Sequence, residues 1–332
     1  MKGKKWYLSL FLSLPLVICS CSDEDDEYDG KWHKRSDFDG KARRSASGFT
    51  IGNKGYVVGG YDGTNPLTDV WAYDIDRDAW TQKAHFPGEA RHSADAFTIN
   101  DKGYYGTGYY SSTYYNDFWE YDPATNNWTQ KASFPGSGRY GSVSFTVGGK
   151  GFMGGGYDGN YLKDFYAYNP SADSWTQIVS IGGSKRMGAN SFVINDIAYV
   201  VGGENNGSYV TDFWKYDAQA DSWTELREIK DDSDEDYDDE YDIARKYGNT
   251  FVIDDVAYYC CGDVGSLRSN VWKYYPNLDL WDHVRAFKGS ARTEAVSFST
   301  GERGFVVTGR SGTSCFDDVW ELKPYEYDDD EY

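Results

Sequence analysis

Six tryptophans divide the chain almost evenly: Trp32, Trp80, Trp128, Trp175, Trp223 and Trp281 stand 48, 48, 47, 48 and 58 residues apart. A period of this length means one supersecondary unit used repeatedly, each copy leaning on its neighbours. In five copies an arginine follows the tryptophan by 11 residues (Arg43, Arg91, Arg139, Arg186, Arg292), and Arg245 follows Trp223 by 22. Six residues beyond every arginine is a phenylalanine: Phe49, Phe97, Phe145, Phe192, Phe251 and Phe298. A glycine pair or its remnant comes next, from Gly59-Gly60 to Thr308-Gly309, and then an aromatic segment such as DVWAYD or DFWEYD. Short alternating segments broken by turn residues read as strands. Each unit therefore holds four, here A (SGFTI), B (KGYVVGG), C (DVWAYD) and D (AWTQ).

Arginine, Gly-Gly, an aromatic strand C and a tryptophan opening strand D, at a period near 48, resemble the kelch repeat of β-propellers over about residues 30 to 322. The resemblance implies an all-β chain: a six-bladed kelch propeller with four antiparallel strands per blade, over 31–323. One such sheet cannot cover its own two faces, so blades must stack radially through their aromatics, which form 18% of the chain. The last unit stops after DDVWELK without a strand D, while GKWHKR supplies a strand D with no A, B or C before it. The N-terminal segment around Trp32 is therefore expected to close the ring as the outer strand of the last blade.

Gly154-x-Gly156-x-x-Gly159 has the spacing of a dinucleotide fingerprint. No helix-forming stripe follows, and KGYVVGGYDG at 54–63 repeats the passage without its first glycine. The glycines read as blade architecture, and no cofactor is implied. Galactose oxidase shares the kelch fold, but its copper pattern needs two histidines, two tyrosines and a tyrosine joined to cysteine. Only four histidines occur; His33 and His283 follow strand-D tryptophans, leaving His85 and His92 near a mouth connection. No metal site is expected. Asp74, Asp76 and Asp78 read as the C-to-D turn, because a calcium loop would need a glycine and a terminal glutamate that are missing.

The first 20 residues, a basic start followed by an apolar run, have the pattern of a signal peptide. Ile18-Cys19-Ser20-Cys21 resembles a bacterial lipobox with Cys21 as the lipidated residue, and residues 21–30 form an acidic tether resembling an outer-membrane surface signal. The expectation is a lipid-anchored protein of the bacterial outer membrane, exposed at the cell surface. The net charge of -20 is concentrated in the tether, an insertion at 228–242 and the tail at 324–332, and the propeller body is nearly neutral. That balance speaks against nucleic acid as a partner. With Cys21 acylated, Cys260, Cys261 and Cys315 remain; Cys261 and Cys315 occupy neighbouring blades, and sequence leaves open whether they pair.

Kelch propellers commonly bind through the face carrying the D-to-A and B-to-C connections. Two variable positions per blade lie there: the residue after each arginine (Arg44, His92, Tyr140, Met187, Lys246, Thr293) and the residue after the second glycine (Tyr61, Tyr109, Tyr157, Glu204, Asp263, Arg310). They are expected to make one arc of the mouth aromatic and the other charged. Such a mouth suits an extracellular glycan, whose rings stack on aromatics, or a protein segment with an apolar and a charged end. Resemblance to the six-bladed sialic acid mutarotases offers a catalytic alternative, with Glu204 and either Arg310 or His92 as acid and base. A structural envelope subunit using its blade rims is a third class.

Overall fold

The computed structural model describes residues 30–230 and 242–327. Its six four-stranded sheets run antiparallel in the order A-B-C-D. In blade one these strands are Ser47–Ile51, Lys54–Val58, Val70–Asp74 and Ala79–Lys83. Strand B is buried on both faces from Gly55 onward, whereas in strand D Trp80 alone is buried and Ala79, Thr81 and Gln82 are exposed. That contrast is what a sheet sandwiched between neighbours and frayed only at its outer edge requires. Two-residue hairpins, which the sequence pattern did not reveal, decorate the B-to-C connections of blades two, four and six: Tyr109–Tyr110 with Thr113–Tyr114, Glu204–Asn205 with Ser208–Tyr209, and Arg310–Ser311 with Ser314–Cys315.

Blade stacking explains two repeated residues. The strand-A phenylalanine of one blade lies flat on the second residue of strand B in the next, and a Cβ there would come within 2.3 Å of Phe298 at Gly55, 2.3 Å of Phe49 at Gly103 and 2.1 Å of Phe97 at Gly151. Only glycine admits the ring so closely. Hydroxyls then tie neighbouring A strands along the inner rim, Thr98 and Thr146 donating to the carbonyls of Thr50 and Thr98 at 2.7 and 2.8 Å.

The arginines are buried fasteners. Arg139 donates to both carboxylate oxygens of Asp164 at 2.7 and 3.0 Å, to the Gly155 carbonyl at 3.0 Å and to the Ser137 carbonyl at 3.1 Å, with Phe134 beneath its guanidinium at 4.8 Å. Arg43 with Asp69, Arg91 with Asp117 and Arg292 with Asp318 repeat the bidentate pair, and Arg186 meets Asp212. A strand-C indole shares the carboxylate, as Trp71 does on Asp69 at 2.7 Å. Blade five breaks the pattern: Asn270 stands in place of the aspartate, and among the described residues Arg245 donates to the carbonyls of Asp242, Ile243, Cys261 and Asn270 and to no carboxylate.

Closure occurs in blade six, whose sheet orders Lys31–Lys34 beside Val319–Lys323, then Gly304–Val307 and Val296–Ser299. Lys31 pairs with Lys323 and Trp32 with Leu322, which makes this segment the expected outer strand of the last blade. Trp32 packs edge-on against Phe287 at 4.9 Å and Phe251 at 6.1 Å. Just past the closing strand, Arg35 donates to the fully buried Glu321, which also takes Arg303 at 2.5 and 2.9 Å and Lys323 at 2.9 Å. Burial alone would raise the Glu321 carboxyl, but Arg303, Lys323 and Arg35 outweigh it and hold it at about 2. A depressed folded value contributes stability above the unfolded value of 4.5 and loses it as pH falls toward 2. Thermal unfolding followed between pH 7 and 2.5 is therefore expected to show a decline below about pH 4.5 that is shallower in Glu321→Gln; equal acid limbs would remove Glu321 from the account.

Candidate ligand-binding mouth

Two residues after each arginine the chain turns inward, and Ser45, Ser93, Gly141, Gly188, Tyr247 and Glu294 all adopt φ between 45° and 65°. The amide of each donates to the carbonyl of the equivalent residue one blade back: Ser45 to Glu294, Ser93 to Ser45, Gly141 to Ser93, Gly188 to Gly141, Tyr247 to Gly188 and Glu294 to Tyr247, at 2.7 to 3.2 Å. Six peptides thus form a closed hydrogen-bonded belt around the axis. These bonds offset the cost of left-handed backbone at four positions that carry side chains. A cavity of about 150 Å³ opens within the belt, lined also by Ala94, Ser142, Asn190 and Gly248.

The two variable positions of each blade lie directly above it. They face one another in backbone bridges: Arg44 with Tyr61, His92 with Tyr109, Tyr140 with Tyr157, Met187 with Glu204, Lys246 with Asp263 and Thr293 with Arg310. The aromatic ones form one continuous arc. The Arg44 guanidinium covers Tyr61 at 5.2 Å, and ring centroids then run from Tyr61 to His92 (5.4 Å), Tyr109 (4.3 Å), Tyr140 (4.2 Å), Tyr157 (5.7 Å) and Tyr161 (5.2 Å). Tyr114, on the blade-two hairpin, joins from outside at 5.8 Å from Tyr140. Burial, helped by Arg44, lowers the His92 imidazole to about 4, so it is neutral at pH 7.

The charged positions are brought together differently from the expected open arc. Glu294 of blade six accepts from Arg44 at 2.8 Å and Ser45 at 2.6 Å in blade one, and from Arg310 at 2.7 Å in its own blade. Glu204 of blade four accepts from Tyr161 of blade three at 2.6 Å and from Lys246 of blade five. Burial pushes both carboxyls up, and their partners, Arg310 and Ser45 for Glu294, Lys246 and Tyr161 for Glu204, outweigh it and keep them ionised. The mouth's charges are therefore largely spent on clasping one blade to the next. Asp263 bonds the amide of Gly265 at 2.7 Å.

Two residues absent from the sequence-derived set belong here. Tyr247 lies across the belt, its ring 2.9 Å and its hydroxyl 3.0 Å from where Cβ atoms at Gly188 and Gly141 would be, so those glycines admit it. Among the described residues nothing hydrogen-bonds its hydroxyl. Asp95, at the mouth end of strand A in blade two, takes the hydroxyls of Ser142 and Ser144; burial nonetheless raises its carboxyl to about 6. The offset of two residues from the arginines would have exposed Tyr247 and Glu294 to sequence reasoning. Asp95 carried no signal beyond being the acid at an offset otherwise filled by Ser, Val or Asn.

His85 and His92 do not converge: His85 contacts Thr68 and Gln82, while His92 contacts Ser93 and Tyr109. Asp74 and Asp78 cap their turn through the amide of Arg77 and the hydroxyl of Tyr73. Cys260, Cys261 and Cys315 are free thiols. Residue Cys21, the signal segment and most of the acidic insertion and tail lie outside the described residues.

This fold and mouth define a kelch-repeat propeller. The KLHDC2/KLHL20/DRC7 kelch-repeats domain model matches residues 31–148, and the kelch motif matches 139–181 and 185–229. Among solved structures that of YjhT is similar, with a TM-score of 0.72 at 18% identity over 86% of this chain and 95% of that one, which is a likeness of fold. No curated protein matches.

Proposed function

We propose that the chain is a cell-surface lipoprotein, anchored through Cys21, whose mouth binds a glycan of low charge by stacking and does not catalyse its conversion. One observation carries this reading: the rings of Tyr61, His92, Tyr109, Tyr140 and Tyr157 form an uninterrupted arc, whereas Arg44, Glu204, Lys246, Glu294 and Arg310 already satisfy one another. Aromatic faces and phenol groups suit C-H faces and hydroxyls, while a charged ligand would have to break clasps between blades. An acidic or basic protein segment fits less well for the same reason. The mutarotase-like alternative needs a proton donor as well as an acceptor, and its candidates lack a ready donor. Glu204 is held ionised, His92 is neutral until about pH 4, and Arg310 is engaged by Glu294.

Screening the purified protein on an array of neutral and charged oligosaccharides tests the reading. Binding should favour neutral glycans, and replacing Tyr61, Tyr109 and Tyr157 together with alanine should weaken it at least a hundredfold, at about 1–3 kcal/mol per stacked ring. A triple variant that binds like the parent, with an unchanged circular dichroism spectrum, would place recognition elsewhere. The anchor is tested separately: Cys21→Ala should leave the membrane fraction, and its retention there would refute lipidation.

A further inference from the structure

On the face opposite the mouth, a crevice of about 600 Å³ opens between blades three and four. Its origin is visible by comparison with blade two. There the sheet face is filled by a charged network: Lys102 donates to Glu120 at 2.7 Å, Tyr104 donates to the same carboxylate at 2.7 Å, and the Lys131 ammonium lies 4.0 Å from Glu120 and 3.8 Å from Asp173 in the next blade's C-to-D turn. Blade three places Lys150, Phe152, Ala167 and Ile178 at the four corresponding strand positions. It thus keeps the first lysine and loses the hydroxyl, the carboxylate and the second ammonium. Blade one also has an alanine, Ala72, but retains Tyr56 and Lys83 beside it.

The aspartate across the crevice has been left without its cation. Asp173 takes the Tyr168 hydroxyl and the Ala132 amide on Oδ1, leaving Oδ2 for Lys131. Asp221, its counterpart in blade four, takes the Tyr216 hydroxyl at 2.9 Å and the Val179 amide at 3.4 Å on Oδ1 in the same way. No described residue pairs with its Oδ2. Asp217 and Asp196 line the crevice beside it, against one cation, Lys150.

We propose that this crevice binds an aliphatic ammonium ion, with the alkyl chain against Phe152, Ala167 and Ile178 and the head at Asp221, as Lys131 places its own ammonium at Asp173 one blade earlier, with Asp217 beside it. The ligand class is a linear primary amine, free or as the end of a longer molecule. Apolar walls take the stem, and the acidic lip selects the charge of the head.

Titration of the full protein with n-hexylamine, followed by calorimetry or NMR, tests this directly, with n-hexanoate and 1-hexanol as controls. Saturable binding of the amine alone is expected. Asp221→Asn, which keeps the Oδ1 acceptor for Tyr216 and Val179, should weaken it about tenfold. Ile178→Lys supplies the ammonium from within and should abolish binding while leaving the melting temperature at or above that of the parent. Absence of saturable amine binding, equal binding of hexanoate, or undiminished binding by both variants would overturn the proposal.

Discussion

Replacing Trp32 with alanine is expected to destabilise the propeller by about 3–5 kcal/mol, lowering its melting temperature by roughly 10 °C. The side chain is only 2% exposed and packs into a core shared with Phe251, Phe287 and Leu322, so truncation leaves a cavity that those rings cannot refill. The effect extends beyond one side chain, because Trp32 secures the strand that gives blade six its outer edge. Without it, Val319–Lys323 presents unpaired amides and carbonyls to other molecules. Light scattering during the thermal melt should therefore show earlier aggregation than for a truncation such as Phe134→Ala, a buried position away from the closure. A Trp32→Ala protein that melts with the parent would mean that the ring does not depend on its closing strand.

The second large effect belongs to the arginines. Arg139→Ala removes a 1% exposed guanidinium and leaves Asp164 and the Gly155 and Ser137 carbonyls without their donor, an expected loss of about 3–5 kcal/mol in denaturant unfolding. Arg139→Lys should recover little of it, since an ammonium cannot make the two parallel bonds to Asp164 together with two carbonyl contacts. Blade five supplies a control within the same chain. Among the described residues Arg245 has no bidentate carboxylate, so Arg245→Ala strands no described partner charge and is expected to cost less than Arg139→Ala. Equal losses at the two sites would assign the effect to packing and carbonyl bonds rather than to the ion pair.

Much of this architecture was legible because it is periodic. The spacing of tryptophan, arginine, phenylalanine and Gly-Gly defines one blade, and the incomplete units at the two ends define the closure that Lys31–Lys34 makes with Val319–Lys323. The residues after the arginine and after the second glycine were expected only on the same face; that they are bridged partners in every blade is set by the structure. What periodicity does not encode is which side chain reaches across to which neighbour. Glu204 and Arg310 looked like free groups on a charged arc, but their partners Tyr161, Lys246 and Glu294 are set by geometry around the ring rather than by distance along the chain. The position of Tyr247 is given by its offset from Arg245, but that its ring lies across the belt depends on two glycines, Gly141 and Gly188, that lie 106 and 59 residues away in sequence. The crevice between blades three and four was equally invisible, since it arises from what Ala167 and Ile178 fail to fill.

The seam in blade six also decides how the molecule meets mechanical load. Lys31, where the described fold begins, lies opposite Lys323, where the last strand ends. Tension drawn between those two points acts across an antiparallel pair at its open end, so its hydrogen bonds break in succession instead of sharing the force. The contact of Arg35 with Glu321 crosses this zipper, whereas Lys323 meets Glu321 within its own strand. A tether pulling on residue 31 alone, with the load taken up elsewhere on the ring, would instead be resisted by the whole of Lys31–Lys34 and by the buried indole at its second position. The same ring that heat must melt as a body can thus be opened by a modest pull on its two ends, and the direction of the pull is what separates a durable anchor from a release catch.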